Sequence, residues 1–198
     1  MSGIGRSMAQ SVFERGEPAV YYWREEQNGK HIRSTSDKVV TTLSSLYPLN
    51  AFHVGQLQDE IEDRLRQAEA GKLRPIKEVR RIESYPGGSI FEIKWDHLML
   101  PHVPDKASGL VELKEVHVRL YYYQEPDNTR TPKNSLWGVG LYVHEKEIFE
   151  DPNQTRVAQN KQIKVAIDLH DQISPSRWNV RELSAPELGK SEGDENER

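Results

Sequence analysis

The chain has 198 residues, 35% of them hydrophobic, with 27 basic and 31 acidic side chains and a net charge of −4. That length suits one domain with a genuine core plus a tail, and at a mean hydropathy of −0.78 no apolar run approaches the ~20 residues a membrane helix needs. The absence of cysteine excludes disulfides, thiolate zinc sites and thiol nucleophiles, and fits a reducing cytoplasm.

The opening stretch "MSGIGRSMAQSVFERG" has no apolar segment of the kind a secretory signal carries, and residues 1–17 read as a flexible N-terminal extension. "PAVYYWREEQNGK" (18–30) joins β-favouring residues to an Asn-Gly turn and predicts a strand. In "STSDKVVTTLSSLYP", cap-type residues precede Val39, Val40, Leu43, Leu46 and Tyr47 at helical spacing, with a stop before Pro48. "NAFHVGQLQDEIEDRLRQAEAGK" carries a cleaner stripe of Leu57, Ile61, Leu65 and Ala68, closed by Gly71. Its Glu60–Arg64 and Glu62–Arg66 spacings predict a solvated, ion-paired outer face. The two helices read as a hairpin.

After a connector, "LRPIKEVRRIESYPGG", the alternation of Phe91, Ile93 and Trp95 with Glu92, Lys94 and Asp96 predicts a half-buried strand over "SIFEIKWDHLML". "PHVPDKASG" reads as a loop, "LVELKEVHVRLYYYQEP" as the next strand and "SLWGVGLYVHEKE" as the third, with "PDNTRTPKN" a long hairpin loop between them. The acidic loop "IFEDPNQT" leads to a helix over "RVAQNKQIKVAIDLHDQI". In the tail "LSAPELGKSEGDENER" five acids face two bases, leaving the body at about −1; residues 176–198 read as an acidic, disordered tail. No internal repeat is present.

Strict alternation places Val116, Val118, Leu120 and Tyr122 on a core face, with Trp137, Val139, Leu141 and Val143 from the next strand. The opposite face then collects Lys94, His117, Arg119, Tyr121, Tyr123, Tyr142 and His144, with Glu92 and Glu115 among them and Lys146 at the end. Such a face suits RNA. Arg and Lys hold a phosphate and stabilise the added charge of its transition state; His, Tyr or Glu move protons; tyrosine rings stack on unpaired bases. Read more plainly, it is the polar, solvated side of an antiparallel sheet, with cross-strand charge pairs as ordinary stabilisers.

The pieces "GGSIFEIKW", "VHVRLYYYQ", "GVGLYVHEKE" and "QNKQIKVAIDL", in this order over about residues 18–173, resemble the RelE/ParE/HigB superfamily, the toxins of bacterial type II toxin–antitoxin pairs, in a phage-derived, HigB-like form. The resemblance implies an α+β, RelE-like fold over residues 18–175, with the helical hairpin and the C-terminal helix packed on a small, mainly antiparallel sheet. It implies a cytoplasmic, metal-independent endoribonuclease with no cofactor, which cleaves mRNA on the ribosome and inhibits translation. The implied partners are a cognate antitoxin, a helix-turn-helix protein, and the ribosome-bound message. Carried over by position, Lys94 and Arg119 fall on basic strand positions of the family, and Lys146 near the basic end of the following strand. The family's closing tyrosine has no counterpart in "IFEDPNQT", so His117, Tyr121 and His144 are the proton-transfer candidates, with Lys146, Tyr123 and Tyr142 contacting RNA. The chain departs from the family in its near-neutral body and in Glu92 and Glu147, which stand where a basic residue would help. Two other readings stay open: a non-nucleolytic toxin of the same fold, of the gyrase-inhibiting type, and an inactive binding module.

Other motifs carry less. His97 and His102 bracket a strand end without a metal-ligand cluster around them, and Asp96 with either lacks a serine in a nucleophile elbow. His170 falls on an apolar helix face and reads as packed. "GVG" at 138–140 reads as close backbone packing or a bulge.

Overall fold

A computed structural model of the chain describes residues 11–14, 19–23, 35–85, 89–105, 109–124 and 136–173. The predicted tail, and most of the predicted N-terminal extension, lie outside these residues. A 3-10 turn at Val12–Glu14 is followed by β1 (Ala19–Trp23), α1 (Thr35–Leu46), α2 (Ala51–Glu69), β2 (Val79–Arg81), β3 (Ile90–His102), β4 (Glu112–Gln124), β5 (Leu136–Glu145) and α3 (Pro152–Ile173). The protein is α+β.

Both hairpin helices form where the spacing of apolar residues places them. α1 buries Val39, Val40 and Leu43 and stops at Leu46, because Pro48 pushes the residue before it out of helical geometry. α2 starts at Asn50, whose side chain accepts from the His53 N–H at 2.9 Å, satisfying one of the helix's orphan donors. It ends where Gly71 takes φ 65°, a left-handed conformation that costs glycine nothing. The predicted ion-paired outer face is different in detail. Arg64 does not stay with Glu60: it reaches inward to Glu78 (3.4 Å) and to the Lys94 carbonyl (3.0 Å), tying the helix to the sheet.

The sheet runs β1-β5-β4-β3-β2. β2 to β5 pair antiparallel, and β1 adds to the β5 edge in parallel. β2 sits inside the stretch expected to be a connector. Its "VRR" offers no legible alternation, and it exists because Val79, Arg80 and Arg81 find Ile93, Glu92 and Phe91 across the ladder. β3 runs to His102, two residues into the expected loop. α3 starts a turn early, at Pro152: Asp151 caps it, accepting from the Asn153 N–H at 2.8 Å, and proline is at ease in a first turn.

Helices cover both sides of the sheet. On one side α1 and α2 pack over Phe91, Ile93, Trp95, Val116, Val118, Leu120, Tyr122 and Val143. On the other, Ile163 and Ala166 of α3 pack over Ile90, Tyr121, Val139 and Leu141. The second side, expected to be a polar face open to solvent, is therefore apolar at one end and charged at the other.

Part of the predicted N-terminal extension belongs to the first core. Phe13 is 0% exposed, its ring 4.9 Å from that of Tyr122, and its carbonyl accepts from the Leu73 N–H at 2.9 Å. The Ser11 hydroxyl meets the Tyr122 hydroxyl, giving a fully buried phenol a hydrogen-bond partner. Gly138 makes room for this: a Cβ there would stand 2.8 Å from the Phe13 Cζ and 3.1 Å from the Tyr122 Cδ2. Gly138→Ala is therefore expected to cost about 1–3 kcal/mol, and most of that cost should vanish in a Phe13→Ala background, both read by urea denaturation. An equal cost in the two backgrounds would show that Phe13 is not what the glycine accommodates.

Candidate active site at the bulged end of the sheet

β4 is the central strand, and Arg119 is its central polar residue, paired with Lys94 on β3 and His144 on β5. Each neighbouring strand is bulged beside it. On β3 the register slips between Trp95, opposite Val118, and Leu98, opposite Val116. Asp96 and His97 thus share the place facing His117. On β5 the slip falls between Tyr142, opposite Tyr121, and Gly140, opposite Tyr122, leaving Leu141 as the extra residue. A bulge sets two successive side chains on one face and reverses the alternation beyond it. That is why Val139 and Leu141 join the α3 side while Val143 stays with α1 and α2, against the single core face expected for all three. The Trp137 side chain lies outside the described residues.

The charged end of the face is an array held together by carboxylates. Arg119 is 4% exposed; its Nη2 donates to Asp96 at 2.8 Å, its Nη1 to the Val118 carbonyl at 2.9 Å, and its Nε stands 3.9 Å from Glu92. Glu92, equally buried, also faces Arg80 at 3.3 Å and Lys94 at 3.7 Å. From α3, Gln159 approaches it at 3.4 Å. Lys94 donates to the Ile76 carbonyl at 2.6 Å. Burial makes its ammonium easier to deprotonate, with Glu92 opposing. Glu92, suspected from sequence of opposing an anion site, is the counter-ion that lets three cations gather here.

His117 takes the other side of Asp96, with Nδ1 3.1 Å from the same oxygen that Arg119 holds. Burial alone would raise the Asp96 carboxyl; the His117 hydrogen bond and the Arg119 charge outweigh it and hold it below its ordinary value. The His117 Nε2 is 3.7 Å from Glu115, and Glu115 is paired with His97. His97 adopts φ 66°, unusual for a residue with a Cβ, and is 76% exposed. Lys146 extends the ladder just past β5, its N–H donating to the His117 carbonyl at 2.6 Å. Lys146 and His117 therefore stand side by side on the same face. Among the described residues the Lys146 ammonium has no ion-pair partner within 4 Å; burial, then the charge of Arg119, lowers its pKa.

The remaining predicted site residues lie under α3. Tyr121 is 0% exposed, so the base-stacking surface expected of it is occupied by the protein itself, and burial with Glu92 nearby raises its hydroxyl pKa. Its hydroxyl donates to the His144 Nε2 at 3.3 Å, while the His144 Nδ1 donates to the Glu145 carbonyl at 2.7 Å. Tyr142 donates to Gln162 of α3 at 3.0 Å, and the Tyr123 ring lies 4.6 Å from that of His170, which is packed as expected. The predicted set thus divides. Lys94, His117, Arg119 and Lys146 come together at the bulged end, while Tyr121, Tyr123, Tyr142 and His144 support the α3 interface. Asp96 is the member that sequence reasoning set aside. Its signal was the pair of polar residues between Trp95 and Leu98, which breaks the alternation where the bulge falls.

His144 supplies a pH test. Burial pushes its imidazole down to about 4, whereas in the unfolded chain it titrates near 6.5. The unfolded state therefore binds more protons across that window, so this contribution is whole above pH 6.5 and lost as pH falls towards 4. Denaturation at pH 7 and pH 4.5 should show a loss on the order of 2–3 kcal/mol, and His144→Gln should remove much of that acid sensitivity.

No protein-family model matches the chain, and neither a curated protein nor a solved structure matches it.

Proposed function

We propose that the protein is a RelE-like toxin: an endoribonuclease that cuts mRNA on the ribosome in the cytoplasm and is silenced by a helix-turn-helix antitoxin. The element order of a leading strand, a helical hairpin, a run of antiparallel strands and a closing helix supports the resemblance on which the biological role rests. One observation carries the chemistry: His117 and Lys146 stand side by side at the accessible edge of a cation-rich array.

RNA brings its own nucleophile, so the reaction needs proton transfer and charge stabilisation and no metal. The 2′-hydroxyl proton passes to the His117 imidazole as the O2′–P bond forms. The P–O5′ bond breaks, and the 5′-oxygen takes a proton from Lys146. The products are a 2′,3′-cyclic phosphate and a 5′-hydroxyl. A lysine whose pKa is lowered by its surroundings is suited to giving up that proton. Arg119, held from below by Asp96 and Glu92, adds positive field where the phosphorane charge develops.

A binding role has its own support. Arg119 is already neutralised by two carboxylates, as in a structural ion pair, which favours a non-nucleolytic toxin or a binding module.

Primer extension on a reporter mRNA in a cell-free translation system separates the two. The nuclease gives new 5′ ends that need ribosomes, and Lys146→Ala lowers their yield at least ~100-fold with an unchanged circular dichroism spectrum. Arg119→Ala is the poorer variant, because it leaves buried carboxylates unpaired at a cost of about 3–5 kcal/mol. A message left uncut by the wild-type chain would overturn the nuclease in favour of binding.

A further inference from the structure

We infer that Asp96 is a positioning residue that makes Nε2 of His117 the proton-accepting atom of the site; its catalytic consequence rests on the nuclease reading above. An imidazole has two nitrogens, and the one that carries the proton is set by what the other face of the ring meets. At His117 the choice is made from below. Asp96 Oδ1 lies 3.1 Å from Nδ1 and also accepts from the Arg119 Nη2 at 2.8 Å. A carboxylate held ionised in this way accepts only, so Nδ1 must carry the hydrogen and the lone pair falls on Nε2. With ordinary alternation Asp96 alone would face His117; the bulge sets His97 beside it as a second polar neighbour.

The far side of the ring is equally defined. Nε2 faces Glu115 at 3.7 Å, beyond hydrogen-bond reach, and so stays open to an incoming donor. His97, paired with Glu115 and 5.4 Å from His117 ring to ring, fixes where that carboxylate stands. In this arrangement the ring receives the 2′-hydroxyl proton on the nitrogen turned away from Asp96, and no rotation is needed between binding and reaction.

Nitrogen-15 NMR of the labelled full-length chain reads the tautomer without RNA. In the neutral wild-type ring, His117 should show a protonated Nδ1 and a bare Nε2. Asp96→Asn, which keeps Oδ1 as an acceptor, should preserve that pattern, and Asp96→Ala should move His117 to the Nε2–H form. In the cleavage assay Asp96→Ala should slow the reaction about 100-fold, and Asp96→Asn should restore most of the loss. A wild-type ring protonated at Nε2, or an Asp96→Ala ring still protonated at Nδ1, would overturn the inference, as would wild-type rates in a folded Asp96→Ala chain. A wild-type chain that cuts no RNA overturns the nuclease reading instead, and the tautomer still decides what Asp96 does.

Discussion

A guanidinium buried in the middle of a sheet is the constraint around which this protein is arranged. Taking Arg119 out of water is expensive unless its charge is matched at close range and its donors are used. Asp96 and the Val118 carbonyl take the two Nη donors, and Glu92, 3.9 Å from Nε, supplies charge without a hydrogen bond. Glu92, itself removed from water, in turn requires Arg80 and Lys94, so the ion pair spreads from the central strand to the edge strand β2. The local dielectric is low, and each member is held because every other member is present. A site of fixed polarity results, in which the shared oxygen of Asp96 serves both the guanidinium and the imidazole.

The two bulges explain why this cluster coexists with a second hydrophobic core. Without the slip on β5, Val139 and Leu141 would turn away from α3, which would keep mainly Ile90 and the tyrosines of β4 to cover. The slip on β5 turns Val139 and Leu141 towards α3, and the slip on β3 doubles the polar side chains around His117. One face is thereby divided between a packed end and a reactive end. Gln159 and Gln162 of α3 lie at the boundary, each touching a polar group of the sheet.

Much of the architecture was legible from periodicity. The stripe of Leu57, Ile61, Leu65 and Ala68, the run of Val116 to Tyr122 and the apolar contacts of His170 follow from spacing alone, because burial imposes the same period on sequence and structure. β2 was not legible, since a three-residue strand with two arginines has no period and owes its existence to its partner. The faces of β5 were misread for a related reason. A bulge adds one residue without a sequence signature of its own, and every side chain past it changes sides. Of the site, the basic residues and His117 were visible as chemistry. The burial of Tyr121 and His144 was not, because it depends on where α3 lands. Phe13 was hidden by its neighbours: one aromatic ring in a polar stretch has no periodicity to betray it.

That ring also sets a sequence of events. Ser11 and Tyr122, which meet through their hydroxyls, are 111 residues apart, and the glycine that receives Phe13 lies further along still. During synthesis this segment is made before any of its partners exist, and it must wait while the hairpin helices and the strands as far as β5 are added. Its contacts, like the pairing of β1 with β5, are among the most distant in the chain and carry a large loop-closure cost. The first described residues of the protein thus complete the core under α1 and α2 only against strands made long after them.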